Sequence, residues 1–195
     1  MFLDIVINTI DEYGMIKKDD CITAALSGGA DSVCLLIILK ELSDKYSFTL
    51  DALHINHCIR GKESDRDEEF CRNLCKKYDI PLTVIRTDVP AAAAESKKSL
   101  EETARDIRYK AFEKHAGDKG KIATAHTVSD NAETVILNMA RGTGLKGLCG
   151  IPPVRDNIIR PLIDVTRQQI EDYLKSMNQG LSLIHISEPT RLALI

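Results

Sequence analysis

The sequence predicts an α/β fold: a doubly wound, mainly parallel β-sheet with helices on both faces. Short apolar runs alternate along the chain with helical patterns, and parallel strands need such crossover helices between them. Polar and glycine-rich segments follow several of the apolar runs, which is where a sheet of this kind binds its ligands. With 195 residues, 44% of them hydrophobic, the chain is long enough for the core of one domain.

The first elements follow from their hydrophobic patterns. Residues 2–13 are expected to form an amphipathic helix closed by Gly14. Residues 21–26 are short and apolar, which is typical of a buried parallel strand. Residues 33–42 are apolar on nearly every side, which predicts a helix packed against the sheet.

The middle of the chain continues the alternation. Strands are predicted over residues 48–56 and 81–87, with a charged amphipathic helix over 65–78 between them. The small and polar residues of 91–98 predict a mobile loop.

Two capping-box patterns mark the later helices. Ser99 with Glu102 begins a helix predicted over 99–115, and Thr166 with Gln169 begins the last one. The elements predicted between these helices are a strand over 121–125, a helix over 129–141 and a strand over 158–163 that Pro161 interrupts.

The segment between the first strand and the second helix, Ser-Gly-Gly-Ala-Asp-Ser, suits the binding of phosphate. Its glycines allow a sharp turn and a close approach of backbone N–H groups to an anion, and a helix N-terminus favours negative charge. Serine hydroxyls can donate hydrogen bonds, and Asp31 can orient a magnesium ion or a backbone donor. The alternative is a Gly-Gly turn in which a serine caps the helix. The residues expected to hold the pyrophosphate end of ATP are Ser27, Gly28, Gly29, Ala30, Asp31 and Ser32.

Polar residues at the ends of two other predicted strands are expected to line the same nucleotide site. His54, Asn56 and His57 end the second strand, and His126 follows the fourth. The alternatives for the first group are a metal site that uses both histidines and a solvated turn before a charged helix.

Two pairs of charged residues are candidates for binding substrate. Arg105 and Arg108 lie three residues apart on a helix, so both can face a triphosphate or RNA phosphates. The alternative is surface ion pairs with neighbouring glutamates. Asp130 and Glu133 lie in the first turn of a helix. They could hold magnesium or bind an attacking amine, or they could simply be favoured by the helix dipole.

A literal Gly-x-Gly-x-x-Gly runs from Gly142 to Gly147, but it follows a helix rather than a strand. A dinucleotide site is therefore not expected there. The loop either simply ends the preceding helix or faces RNA, in which case Arg141 and Lys146 contribute positive charge.

Composition limits the class of partner. The net charge of −3 gives no general sign of nucleic-acid binding, so any RNA contact must come from local patches. Six scattered cysteines and the absence of a signal-peptide pattern predict a reduced, cytoplasmic protein with no membrane partner. Cys71 and Cys75 lie four residues apart, which favours packing over metal binding.

Together these segments resemble the tRNA(Ile)-lysidine synthetase family of the ATP pyrophosphatase (PP-loop) superfamily. The matching segments are 27–32, 54–57, 60–61, 63–65, 101–109, 125–127, 131–134, 141–144 and 160–162. The family usually has two acids in a row where this chain has Ser129 and Asp130, so no role that needs a carboxylate can be carried over to Ser129.

The resemblance implies a PP-loop ATPase fold, similar to the adenine nucleotide alpha hydrolases, and a two-step reaction. ATP adenylates the 2-oxo group of the wobble cytidine of tRNA(Ile) and releases pyrophosphate; the ε-amine of lysine then displaces AMP to give lysidine. The implied cofactors are ATP and Mg²⁺, and the implied partners are tRNA(Ile) with a CAU anticodon and free L-lysine, with a homodimer as a possible assembly. The residues expected to be catalytic are Asp31, which is also the expected metal ligand, Asp130 and Glu133. The expected tRNA contacts are Arg105, Arg108, Arg141 and Lys146.

Two other functions fit the same loop. One is another PP-loop tRNA-modifying enzyme such as a 2-thiolation protein, although such enzymes usually need a Cys-x-x-Cys pair that this chain lacks. The other is a catalytically silent fragment that binds ATP or tRNA.

The last residues differ in kind from the rest. The last predicted helix ends near Gly180, and the residues after it resemble the translation of a transposase adapter used in preparing sequencing libraries. We therefore expect a catalytic domain over 1–180, a non-native and poorly packed tail over 181–195, and the absence of the family's C-terminal tRNA-binding domains. The alternative for the tail is a strand that ends before Pro189.

Overall fold

The centre of the protein is a six-stranded β-sheet. The computed structural model describes residues 2–59, 61–117 and 119–177, with only the backbone of Leu145 and Lys146. The strands are β1 (Cys21–Ala25), β2 (Thr49–Asn56), β3 (Leu82–Arg86), β4 (Lys121–Ala123), β5 (Val154–Arg155) and β6 (Ile158–Ile159). The helices are α1 (Phe2–Glu12), α2 (Ala30–Tyr46), α3 (Lys62–Lys77), α4 (Val89–Ser96), α5 (Leu100–Ala116), α6 (Val128–Ala140), α7 (Gly144–Gly147) and α8 (Arg167–Ser176).

The strand order is β3-β2-β1-β4-β6-β5. All neighbours are parallel except β5 and β6, which are antiparallel. The chain moves to one side of β1 for β2 and β3 and returns to the other side for β4, so the order reverses between β1 and β4. This strand order confirms the predicted doubly wound architecture. A sheet of this kind binds ligands at the carboxyl ends of its strands, at the point where the order reverses.

The core lies on both faces of the sheet because neighbouring residues of one strand point to opposite faces. Ala52, Ala123 and Ile159 belong to a large cluster built around α2. The residues beside them in sequence belong to a second cluster around Phe112 of α5: Leu53, Ile122 and Ile158. Helices therefore cover both faces, as the sequence predicts.

Helix α2 is buried along most of its length. Val33, Leu35 and Leu36 are fully buried, as is Leu39, and α8 packs against the helix. The sheet lies on one side of α2 and a second helix on another. This burial explains why the sequence of α2 is apolar on nearly every side. This packing fixes the start of α2, which carries the phosphate-binding segment, at the carboxyl end of β1.

One predicted element is wrong and another is too long. The loop predicted over 91–98 is mostly helix α4, whose start is capped by the Asp88 carboxylate accepting a hydrogen bond from Ala91 N at 3.0 Å; proline at the first turn and a run of alanines favour this helix. The strand predicted over 158–163 is only the two residues of β6, because Pro161 has no N–H to donate to a neighbouring strand. The short β5 that pairs with it has no sequence signal.

Other expectations are confirmed. Gln169 Oε1 accepts a hydrogen bond from Thr166 N at 2.9 Å, and Gln169 N donates to Thr166 Oγ1 at 3.3 Å, which completes the capping box of α8. Cys71 and Cys75 are buried packing residues. Among the described residues, no helix has the length and apolar character needed to cross a membrane. The predicted tail at 181–195 and the helix end near Gly180 lie outside the described residues.

Candidate functional site

The candidate site lies at the carboxyl ends of β1 and β4, where three helices begin. Helix α2 follows β1, and α6 follows β4. A hydrogen bond of 3.0 Å from Val128 N to Val165 O joins the start of α6 to the segment just before α8. The positive ends of three helix dipoles therefore meet near Asp31, the second residue of α2, and this arrangement favours an anionic ligand.

The phosphate-binding segment forms a tight loop held by its own hydroxyls. Gly28 has a φ of +93°, which L-residues rarely adopt. Ser32 Oγ donates to Gly29 O at 2.9 Å, and its hydroxyl lies 3.0 Å from that of Ser27. Gly29 is the N-cap of α2 and provides no side-chain cap. The first N–H groups of α2 thus lack a side-chain acceptor, which suits them to a phosphate.

We predict different outcomes for alanine at the two loop glycines. Gly28→Ala should lower the free energy of unfolding by about 1 kcal/mol or more, because its positive φ becomes strained. Gly29→Ala is the matched control: its φ is −75°, and a Cβ there would lie 3.6 Å from Ser27 Oγ, an ordinary contact. Urea unfolding of the two variants measures the difference. Equal losses would show that backbone conformation is not what requires glycine at position 28.

Asp31 is a half-buried carboxylate with one unsatisfied oxygen. Burial raises its pKa, Arg167 opposes this change, and Asp130 and Glu171 add to it. Its Oδ2 lies 3.5 Å from Arg167 Nη1, while its buried Oδ1 has no hydrogen-bond partner among the described residues. This orphaned oxygen fits a magnesium ion, which typically takes one or two carboxylates together with phosphate oxygens and water. Within the described parts of the chain, no group of three or more His, Cys, Asp or Glu residues could hold a metal ion by itself.

Arg167 and Glu171 are site residues that the sequence reasoning missed. Both lie on α8, whose capping box sets its start beside the start of α2, and Arg167 Nε also approaches Glu171 Oε1 at 3.4 Å. The signal available in the sequence is the arginine directly after the cap of a helix. Its proximity to Asp31, which lies 136 positions earlier, cannot be read from the sequence.

The residues predicted at the end of β2 lie beneath the loop. The Nδ1 atom of His54 is 2.8 Å from the carbonyl oxygen of Leu26, the residue that precedes the loop, and the imidazole is 3% exposed. His57 is also half-buried, and burial, with Arg108 and His54, lowers its pKa to about 4. His57 is therefore a neutral ring at pH 7, and His54 supports the residue that precedes the loop. Direct contact of either ring with a nucleotide stays a prediction.

Asn56 uses its amide within the protein. Its Nδ2 donates to Glu68 Oε2 at 3.0 Å and to Ser64 O at 3.3 Å, and its Oδ1 accepts from Cys58 N at 3.0 Å. Asn56 thus ties the end of β2 to α3, and its contact with a nucleotide stays a prediction.

Glu68 forms the centre of this connection, although the sequence gives no sign of it. Its buried carboxylate also accepts hydrogen bonds from Arg72 Nε at 3.0 Å and Arg86 Nε at 2.8 Å. Burial favours the neutral acid, but the hydrogen bonds from Arg86, Asn56 and Arg72 prevail and lower the pKa of Glu68 to about 2.

Asp130 and Glu133 lie on the first turns of α6, as predicted. Asp130 Oδ2 accepts from Thr127 N at 2.7 Å and from Thr127 Oγ1 at 2.8 Å, so this carboxylate caps its own helix. It is also close enough to Asp31 to raise the pKa of that carboxyl group. The structure thus brings Asp130 beside the loop, and a capping role and a ligand-binding role are both open to it.

Two of the four predicted basic residues line a cavity beside α6. The cavity has a volume of about 380 Å³, and Arg105, Arg141 and His126 line it. Burial and the nearby Arg160 are the main causes that lower the pKa of His126 to about 4. Arg108 is half-buried near this region, and burial lowers its pKa. The backbone of Lys146 lies in α7, and its side chain is outside the described part of the chain.

Comparison with known proteins identifies the family of this chain and several of its relatives. A family model described as a PP-loop domain matches residues 4–182. A tRNA(Ile)-lysidine synthase from Caldanaerobacter subterraneus is 48% identical over 175 residues, which cover 89% of this chain and 38% of that protein. The synthase of the same name from Clostridium acetobutylicum is 50% identical over 171 residues, 86% of this chain and 37% of that protein. The chain thus spans less than two-fifths of the length of these relatives.

Two solved structures share the fold. A U34-tRNA thiolase from Methanococcus maripaludis, solved with its 4Fe-4S cluster, superposes with a TM-score of 0.68 at 20% identity over 91% of this chain and 63% of that one. An NH3-dependent NAD synthetase from Campylobacter jejuni superposes with a TM-score of 0.62 at 16% identity over 94% of this chain and 76% of that one. At these identities the likeness concerns the fold alone.

Proposed function

Because this chain belongs to the PP-loop domain family, we propose that it is the ATP-using domain of an enzyme that ligates lysine to the 2-position of the wobble cytidine of tRNA(Ile). Membership of the family implies the use of ATP. The observation that carries the proposal is the uncapped start of α2 beside the orphaned oxygen of Asp31, in a chain 48% identical to a tRNA(Ile)-lysidine synthase.

In the first proposed step, the loop binds the pyrophosphate end of ATP through the first N–H groups of α2 and the hydroxyls of Ser27 and Ser32. The 2-oxo group of the cytidine attacks the α-phosphorus, a P–O bond to pyrophosphate breaks, and the pyrophosphate leaves with its charge stabilised by the helix N-terminus. When bound at Asp31, Mg²⁺ would neutralise phosphate charge. Asp31 would orient this end of the nucleotide.

In the second proposed step, the lysine ε-amine attacks C2 of the adenylated cytidine. A C–N bond forms, the C–O bond to the adenylate breaks, and AMP leaves with the electron pair. Asp130 and Glu133 are proposed to bind the lysine ammonium group before it loses its proton. The position of Asp130 near Asp31 supports this role, because its carboxylate then lies close to the loop that is proposed to bind the nucleotide.

The tRNA is proposed to lie along the basic side of the site. Arg105, Arg108 and Arg141 would contact RNA phosphates, together with Lys146, and the partner would be tRNA(Ile) with a CAU anticodon. A local cluster of arginines supports RNA binding even though the chain as a whole carries a net charge of −3. Residues 1–180 are proposed as the catalytic domain, and a homodimer in the cytoplasm remains a prediction.

An ATP–pyrophosphate exchange assay with tRNA(Ile) and lysine tests this function. We expect exchange that requires tRNA, because the acceptor of the adenylate is a tRNA base. Exchange without tRNA would contradict the proposal, since a free small molecule would then be adenylated. ATP binding without exchange under any condition would instead favour the catalytically silent fragment, a possibility raised by a chain that spans 38% of its relative's length.

A further inference from the structure

Arg167 is a cation in a position where helix geometry disfavours one. It is the first residue of α8, directly after the cap residue Thr166. A helix N-terminus carries partial positive charge, so a guanidinium there is unfavourable unless carboxylates lie close to it. Two carboxylates do: Asp31 Oδ2 lies 3.5 Å from Arg167 Nη1, and Glu171 Oε1 lies 3.4 Å from Arg167 Nε. The position of this arginine therefore depends on negative charge from two directions.

The two contacts of Arg167 differ in what they join. Glu171 lies four residues later on the same helix, so this pair is local. Asp31 belongs to α2, and its pair with Arg167 spans 136 positions of the chain. The Arg167 side chain is 44% exposed, which leaves it room to turn into solvent. Because the two contacts use different nitrogen atoms, the one with Asp31 can break while the one with Glu171 remains.

The carboxylate that Arg167 contacts is also the one that fits a metal ion. Asp31 Oδ1 is buried and has no hydrogen-bond partner among the described residues, whereas Oδ2 faces the guanidinium. A divalent cation bound to this carboxyl group and an arginine 3.5 Å from its other oxygen would repel each other. The arginine and the metal ion therefore compete for a single negative charge.

We propose that Arg167 is the counter-charge of Asp31 until a divalent cation replaces it. In the metal-free protein, the arginine offsets a carboxylate that would otherwise repel the anionic end of ATP from the start of α2. When Asp31 takes up Mg²⁺, the guanidinium leaves Oδ2 and keeps its pair with Glu171. This inference rests on the proposed function and deepens it, because it names the residue that sets the cation dependence of the ATP site.

Binding of Mn²⁺, a paramagnetic substitute for Mg²⁺, to the protein without nucleotide tests this competition. Arg167→Gln should bind Mn²⁺ about fivefold to tenfold more tightly than the wild type, because the repulsion from a nearby positive charge is lost. Electron paramagnetic resonance of the free ion measures the difference. Equal or weaker binding by Arg167→Gln would overturn the proposal, since an arginine that only holds the structure together could not weaken a metal site by its presence.

Matched variants separate this charge from others. Lys175→Gln removes an exposed positive charge from the same helix. It lies roughly 12 Å along α8 from Arg167, more than about one Debye length, so Mn²⁺ binding should stay within about twofold of the wild type. Arg167→Lys keeps the charge and should reverse most of the gain. In an Asp31→Asn background, Arg167→Gln should give no gain; a gain that persists there would place the metal elsewhere and overturn the proposal.

Calorimetric titration with ATP gives a second test and separates this inference from the proposed function. In EDTA, Arg167→Gln should bind ATP about tenfold more weakly than the wild type, and saturating Mg²⁺ should bring the two within about twofold, because the metal supplies the missing charge. An equal loss with and without Mg²⁺ would overturn the proposal, since Arg167 would then contact the nucleotide itself or hold α8 in place. Failure of the wild type to bind ATP under either condition would contradict the proposed function, and the Mn²⁺ comparison would still decide this inference.

Discussion

Replacing Asp31 by asparagine should lower the rate of ATP–pyrophosphate exchange by at least about a hundredfold, which is the usual effect of removing a group that stabilises developing charge at a reaction centre. The carboxylate is half-buried, its Oδ1 has no partner among the described residues, and it lies beside the start of α2. An asparagine has the same shape but cannot supply a negative oxygen to a magnesium ion. The loss should therefore arise in the chemical step and in Mg²⁺ dependence rather than in folding.

The matched control is Asp44→Asn, an exposed carboxylate on the same helix, which should leave exchange unchanged. The unfolding free energy of Asp31→Asn should stay within about 1 kcal/mol of the wild type, because the ion pair that it loses within the described residues is the partly exposed one with Arg167. Exchange by Asp31→Asn within a few-fold of the wild-type rate would remove this residue from the proposed mechanism.

Glu68→Ala should lower the free energy of unfolding by about 3 kcal/mol. The buried carboxylate accepts hydrogen bonds from Asn56, Arg72 and Arg86. Its removal takes the shorter of two hydrogen bonds from the buried Asn56 amide, which keeps the one to Ser64 O at 3.3 Å. Since Asn56 ties the end of β2 to α3, the variant should also weaken ATP binding by loosening the strand end beneath the loop. Urea unfolding and calorimetry measure the two effects.

Glu69→Ala, at the exposed neighbouring position, is the control and should change the unfolding free energy by less than about 0.5 kcal/mol. The pH dependence gives a second check. The pKa of Glu68 falls from 4.5 to about 2 on folding, so its contribution is complete above the unfolded value and is lost as the pH falls through that range. Glu68→Gln should flatten this part of the stability profile. An equally steep profile in both proteins would show that Glu68 is not the responsible group.

Local sequence patterns predicted most of the sheet and its helices. The apolar run of β1, the all-round apolar pattern of α2 and the Thr166–Gln169 capping box each depend on neighbours in the chain, and the structure confirms them. The errors occur where local preference is weak. Helix α4 depends on a proline and alanines that are also found in loops, and β5 pairs two residues with a partner that Pro161 cuts short.

The phosphate loop is the part of the site that the sequence determined by itself. Its six residues are contiguous, and the turn, the uncapped helix start and the carboxylate of Asp31 all follow from their order. The Asp31–Arg167 pair, the Glu68 network and the arginine cavity depend on the tertiary structure. Asp31 and Arg167 lie 136 positions apart and meet because the sheet places β6, which precedes α8, two strands from β1. The Glu68 network forms because β2 and β3 are neighbours and α3 packs against both. The cavity forms because β4 and β6 are neighbours. The sequence therefore indicates that the chain uses ATP, whereas only the packing of distant elements brings together the arginines that we propose bind RNA.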